Sequence, residues 1–295
     1  MSDYVLTGEG PIHQVDFGGS GASLVLIHGL GGSTTNWNAV APALRAWGAV
    51  RGIDLPGFGL TPPRRDFRLE THRAAIVAYL ETLETPRHTL IGNSTGGLLA
   101  ELVTAARPDL VERLVLVSPA TPPRFPDPRI DWPTLLRLSV QATPILGEIY
   151  GRRFVRSNTP EALVRKSLMM ITHKAGNVPM DLIVASREMA GIRKHLPWAE
   201  YASARTATSI AGLYARRSSF LAMIRSIEAR TLVIHGASDH IVSPGAVEWL
   251  CSLHTDWDLI QLEDTGHTPQ MDAPLRFLTA LGDWLARTET ELTGV

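Results

Sequence analysis

Residues 91–97 read IGNSTGG, entered through the apolar His88-Thr89-Leu90 and left through LLAELVTAA (98–106). A lone Ser94 therefore stands between two glycines where a run with the look of a buried strand changes to helical spacing. Gly92-Asn93-Ser94-Thr95-Gly96 fits G-x-S-x-G, in which a tight strand-to-helix turn presents a serine hydroxyl above the end of a sheet. The flanking glycines are needed because the turn is strained and neighbouring backbone passes too close for side chains. Gly97 extends the small-residue face against the strand. The five-residue pattern alone is weak, since both residue types are common; the strand before it and the helix after it give it meaning. The plainer alternative is a helix N-terminus capped by Ser94 or Thr95.

Working outward, short apolar runs alternate with longer amphipathic segments. SLVLIHG (23–29), AVRGIDLPG (49–57), HTLIGNS (88–94) and RLVLVSPA (113–120) have the continuous apolar character of parallel strands buried on both faces. WNAVAPALRAW (37–47), LETHRAAIVAYLETL (69–83) and GLLAELVTAARP (97–108) carry apolar residues at helical spacing between them. The pattern returns with RTLVIHGASD (230–239), AVEWLCSLH (246–254), DLIQLEDTGH (258–267) and PLRFLTALGDWLAR (274–287). This predicts an α/β fold, a mostly parallel central sheet flanked by helices with right-handed crossovers.

The sheet is interrupted. SPATPPRFPDPRIDWP (118–133) holds six prolines and suits an extended connector, and residues 134 to 228 read as mainly helical. The expected organisation is a core in two parts, 1–119 and 229–295, around a helical cap over 120–228. The polar tail TETELTGV (288–295) is expected to fray.

Composition narrows the function. With 44% hydrophobic and 19% charged residues the chain reads as globular, and its net charge of −1 excludes a global basic field for nucleic acid or an anionic membrane. No apolar run approaches a membrane span and the N-terminus lacks a leader pattern, so the expected location is the cytoplasm. The partner left open is a small-molecule substrate, and the oligomeric state is not fixed by the sequence. The single cysteine, Cys251, reads as a small buried hydrophobe, and nothing points to a metal or cofactor.

A serine at its free pKa is a poor nucleophile, so Ser94 requires a base, an orienting acid and oxyanion donors. The base is His267 in DTGHTPQMD, in a loop after the last apolar strand; the acid is Asp239 in HGASDHIV, at the end of the strand before. Ser, Asp, His is the chain order of the triad on this type of sheet. Asp264 is the rival acid, read as a turn residue, and His240 is read as solvated. One oxyanion N–H comes from Thr95 at a helix N-terminus, the other from Leu30 in HGLGG (28–32), where His28 braces the turn beside Gly29.

These residues resemble the α/β-hydrolase superfamily, over the whole chain except the insertion: HGLGG (28–32), DLPGFG (54–59), GNSTGG (92–97), GASD (236–239) and GH (266–267). The resemblance implies that Asp54 belongs to a structural turn and that the insertion is a lid shaping the substrate pocket. Haloalkane dehalogenases and epoxide hydrolases of the superfamily carry aspartate at the elbow, and Ser94 argues against both. Asn93, the double glycine and the helical lid are similar to hydrolases that cleave carbon–carbon bonds in ring-fission products. Those usually have Trp after the catalytic His, where this chain has Thr268. The elbow S-T-G-G also resembles haloperoxidase-like esterases. The leading reading is a lidded serine hydrolase of carboxylic esters; the alternatives are a carbon–carbon hydrolase and a non-catalytic receptor on the same fold.

Within the insertion, Met169, Met170, Met180, Met189, Met223 and Trp198 are candidates for pocket lining, against ordinary helix packing. From 120 to 228 there are 16 Arg and Lys against 8 Asp and Glu, or +8, while the rest carries 12 against 21, or −9. Either this excess decorates solvated faces, or one or two lid arginines hold a substrate carboxylate.

Overall fold

In the computed structural model, which describes residues 1–293, eight strands form one sheet. They are β1 (Ser2–Thr7), β2 (Gly10–Gly18), β3 (Ser23–Ile27), β4 (Ala49–Ile53), β5 (His88–Asn93), β6 (Val111–Val117), β7 (Arg230–Gly236) and β8 (Asp258–Leu262), in the order β1-β2-β4-β3-β5-β6-β7-β8. β3 to β8 run parallel; β1 and β2 are antiparallel to their neighbours. The N-terminal hairpin is absent from the strand pattern read above. Its turn closes through Thr7, whose hydroxyl donates to the Gly10 carbonyl at 2.8 Å and accepts from the Glu9 N–H at 3.1 Å.

Period-two alternation divides the strands between two cores. Val25 and Ile27 of β3 and Leu114 and Leu116 of β6 face the layer made by α2 (Leu69–Leu80), α3 (Thr95–Ala106) and α10 (Pro244–Cys251). Leu24, Leu26, Val115 and Val117 face the opposite layer, α1 (Ala41–Leu44) and α12 (Pro274–Thr293). Cys251 is buried in the first core as a free thiol, and burial pushes its pKa up to about 12.

The helix expected over 37–47 is broken into a 3₁₀ turn, Thr34–Trp37, and the single turn α1. Pro42 lies within that span and offers no N–H to the carbonyl of residue 38, so the ladder is interrupted there and α1 starts afresh with Pro42 in its first turn, where the missing N–H costs nothing. The tail read as frayed is helical to Thr293, and Gly294 and Val295 lie outside the described residues.

Between β6 and β7 the chain leaves the sheet through an irregular connector and forms α4 (Trp132–Gln141), α5 (Pro144–Arg156), α6 (Pro160–Ile171), α7 (Met180–Arg193), α8 (Ala202–Ala215) and α9 (Arg217–Arg225). α9 packs Phe220 and Ile224 into the first core; α6 and α7 share a small core of Val164, Leu168, Val178 and Leu182 with Met271. The last short helix, α11 (Pro269–Asp272), follows β8. No helix among the described residues is long and apolar enough to cross a membrane.

Candidate active site

Ser94 occupies the turn between β5 and α3 with φ +55, a value that residues bearing a β-carbon rarely adopt and that costs about 1–3 kcal/mol. Its N–H donates to the Val117 carbonyl at 2.9 Å, and its carbonyl accepts from Leu98 and Ala120. The turn is possible only with glycine on either side. A β-carbon on Gly92 would stand 2.3 Å from the Gly96 carbonyl oxygen, and one on Gly96 would stand 2.2 Å from that of Ile27. The Ser94 side chain makes no capping hydrogen bond, which removes the plain helix-cap explanation. Ser94 is half-buried in a run where every neighbour from Ile91 to Ala100 is buried, so the turn opens at the serine alone.

Asp239 and His267 meet across the sheet ends. His267 Nδ1 lies 2.7 Å from Asp239 Oδ2, and Asp239 Oδ1 accepts from the N–H groups of Ile241 at 2.7 Å and Val242 at 3.1 Å. Both residues are buried. Burial works to raise the Asp239 pKa, but the charge and hydrogen bond of His267, then His235 and the Ile241 N–H, outweigh it and hold the carboxyl below its ordinary range. An ionised Asp239 only accepts, so His267 Nδ1 donates to it; in the neutral ring this leaves the lone pair on Nε2. The Asn93 amide donates to the carbonyls of His267 at 3.1 Å and Val117 at 2.9 Å, tying the histidine loop to the elbow.

Asp264 does not join this set. It is a turn residue with φ +49, its side chain is 80% exposed, and it lies 3.8 Å from His173. His240 is likewise exposed, 3.4 Å from Asp131.

The HGLGG loop lies directly against the elbow: a β-carbon on Gly29 would stand 3.1 Å from Ser94 Cβ. Leu30 and Thr95, one on each side of that contact, have no protein acceptor for their N–H groups among the described residues. His28 is buried; its Nε2 accepts from the Leu55 N–H at 3.0 Å, so Nδ1 is the donor to the Gly29 carbonyl at 2.7 Å. Burial lowers its pKa, chiefly by desolvation. With its lone pair engaged it braces the loop and is not a second base. Asp54 is also structural, accepting from the Thr34 and Leu60 N–H groups and from His13 at 2.7–2.8 Å.

Two residues that the sequence reading passed over connect the insertion to this centre. Asp272 is buried, and its Oδ2 accepts from the N–H of Gly266 at 2.8 Å, next to His267, and from that of His173 at 2.7 Å, just past α6. Thr268 donates to the Ile171 carbonyl at 3.2 Å, a further contact between the histidine loop and the end of α6. The second residue is Arg193, at the end of α7. Its guanidinium donates to the Gly31 carbonyl of the HGLGG loop, stands 5.7 Å from the Phe58 ring centre, and forms no ion pair among the described residues. Desolvation lowers its pKa and nearby Asp54 opposes that shift. Of the candidate lining residues, Met169 and Met180 are exposed, Met223 and Trp198 pack on the main core, and Met170 and Met189 are half-buried. Among the described residues no three His, Cys, Asp or Glu side chains are grouped to hold a metal ion.

Comparison with known proteins identifies the family. Residues 22–274 match the family model described as the alpha/beta hydrolase fold. The chain is 28% identical over 284 residues to 2-hydroxymuconate semialdehyde hydrolase of Pseudomonas sp. (strain CF600), covering 92% of this chain and 89% of that one. It is 29% identical over 255 residues to the pimeloyl-[acyl-carrier protein] methyl ester esterase of Aromatoleum aromaticum, covering 85% of this chain and 93% of that one. Among solved structures, a thermophilic esterase from Thermogutta terrifontis superposes with a TM-score of 0.73 at 21% identity over 97% of this chain and 98% of that one, a likeness of fold. The family match spans both parts of the sheet, the elbow and the histidine loop, and the chain belongs to the alpha/beta hydrolase family as one of its enzymes.

Proposed function

We propose that this hydrolase cleaves small carboxylic esters through an acyl-enzyme on Ser94. His267 Nε2 takes the hydroxyl proton as Ser94 Oγ attacks the substrate carbonyl carbon, and Asp239 holds the ring in the required tautomer and offsets its positive charge. The N–H groups of Leu30 and Thr95 receive the oxyanion. His267 then gives its proton to the leaving alkoxide, and water, deprotonated by the same ring, releases the acid. The observation that carries the reading is the 2.7 Å bond from His267 Nδ1 to a doubly anchored Asp239, beside a serine held at φ +55.

Residues 120–228 act as the cap over that centre, with 1–119 and 229–295 as the two parts of the core. The contacts of Arg193 with Gly31, of Asp272 with His173 and of Thr268 with Ile171 support this, because each joins the insertion to a loop carrying a site residue. Arg193, a cation without a carboxylate partner beside the oxyanion loop, is the lid arginine suited to a substrate carboxylate. Asn93, Arg193 and the relationship to the semialdehyde hydrolase favour a second reading, hydrolysis of a carbon–carbon bond next to a carbonyl on the same centre.

A matched pair of aryl esters, one with a terminal acyl carboxylate and one neutral and equally long, tests the proposal. Repeated turnover that favours the anionic ester, loss of that preference in Arg193→Gln and loss of all turnover in Ser94→Ala are expected. A single turnover followed by silence indicates a receptor; turnover retained in Ser94→Ala contradicts the reading outright.

A further inference from the structure

The first hairpin of the insertion turns the usual logic of burial around. α4 buries no residue and α5 buries only Gly147, yet both are amphipathic. On α4, Trp132, Leu136 and Val140 stand at i, i+4 and i+8, so they form one stripe, and Trp132 and Leu136 are 61% and 68% exposed. On α5, Ile145, Leu146, Ile149 and Tyr150 occupy the first two turns and are all exposed, Ile145 by 76%. Phe125 of the connector stacks on Trp132 with ring centres 5.7 Å apart and is itself 54% exposed. Single exposed apolar residues are ordinary on a protein surface; this many on one hairpin mark an interaction site. Gly147 holds the hairpin in place, for a β-carbon there would stand 2.1 Å from the Gln141 carbonyl oxygen and 3.3 Å from Ala204 Cβ of α8.

Charge indicates what covers this face. α5 continues past its apolar turns with Arg152, Arg153 and Arg156, and Arg137 follows Leu136 on α4. Glu200 takes up Arg152 at 3.5 Å and Arg156 at 2.6 Å, whereas Arg137 and Arg153 form no ion pair among the described residues. The one acid on the two helices, Glu148, is engaged by Arg205 at 2.9 Å. A second copy docking through a two-fold axis would set each patch on itself, bringing unneutralised arginines together. An anionic lipid surface supplies both needs at once, an apolar layer for the aromatic and aliphatic side chains and phosphates for the guanidinium groups. We propose that the α4–α5 hairpin is a peripheral docking surface for a bilayer carrying anionic headgroups.

The hairpin lies in the plane of the interface, since no described helix is long and apolar enough to cross. The net charge of −1 that argues against a membrane partner is the sum of +8 in the insertion and −9 elsewhere. The negative remainder is repelled from the same lipid and so orients the molecule with the hairpin inward.

Vesicle flotation with the full chain tests this independently of any activity. The protein should float with phosphatidylcholine vesicles containing phosphatidylglycerol, much less with pure phosphatidylcholine, and less as ionic strength passes about 0.1 M, where the Debye length is about 10 Å. The combined Leu136→Ser, Ile145→Ser and Ile149→Ser variant should lower binding about tenfold or more, and Arg137→Gln with Arg153→Gln should lower it about 25-fold, about fivefold for each charge. All substituted positions are exposed, so both variants should melt with the wild type. The proposal is overturned if the wild-type chain floats with neither vesicle, if binding survives the triple substitution, or if light scattering shows a dimer that the triple substitution dissolves.

Discussion

Asp239 and Asp264 stand 25 positions apart in the chain and differ in one physical respect that favours Asp239 as the proposed acid. Asp239 is sequestered, with Oδ1 held by two backbone N–H groups and Oδ2 by His267; Asp264 is a solvated turn residue. The meeting of Asp239 with His267 was legible in the sequence, because strand-end placement and chain order both pointed to Asp239; its role as the acid is the proposal. Asp272 was not, since its two partners, the N–H groups of Gly266 and His173, come from segments that only folding brings together. Asp239→Asn should lower kcat for an aryl ester by about 10⁴, the scale seen when an imidazole is left in the wrong tautomer, while the fold melts normally. Asp264→Asn should leave kcat unchanged. A mild loss at Asp239 together with a severe one at Asp264 would reverse the assignment.

At the scale of elements, the parallel strands were readable because burial on both faces writes them as continuous apolar runs. The β1–β2 hairpin escaped because Ser2–Thr7 is largely exposed and carries no such run. Helix α3 does two things: its first residues form the elbow, and its interior carries Glu101, wholly buried with neither carboxyl oxygen hydrogen-bonded. Desolvation holds the Glu101 pKa well above its ordinary value; burial first, and then Glu101 itself, raises Tyr214 of α8 and Cys251 of α10. An unfolded Glu loses its proton near pH 4.3, whereas the folded Glu101 keeps it to higher pH. The native state therefore binds more protons at Glu101 in that window, so this residue's contribution to stability is full below about pH 4 and is lost as pH rises through the folded pKa. Glu101→Gln removes this dependence. Urea midpoints taken from about pH 4 to 8 should show the variant gaining on the wild type as pH increases; a gap that stays constant with pH would contradict a proton-holding Glu101.

For the whole molecule, the sequence pattern was sufficient for an interrupted α/β sheet, but the use made of the insertion depends on packing. Nothing in the spacing of its arginines singles out Arg193; its position at the end of α7, against Gly31 and Phe58, does. The same holds for its apolar residues, which divide between the core at Phe220 and Ile224 and the open face of α4 and α5. The ester-cleavage reading depends on one serine being the nucleophile. The most direct test is intact-mass analysis and peptide mapping after reaction with a fluorophosphonate. A single adduct on Ser94, absent from Ser94→Ala and slowed in His267→Ala, is the predicted result. An adduct on another serine, or labelling that persists in Ser94→Ala, would contradict the account.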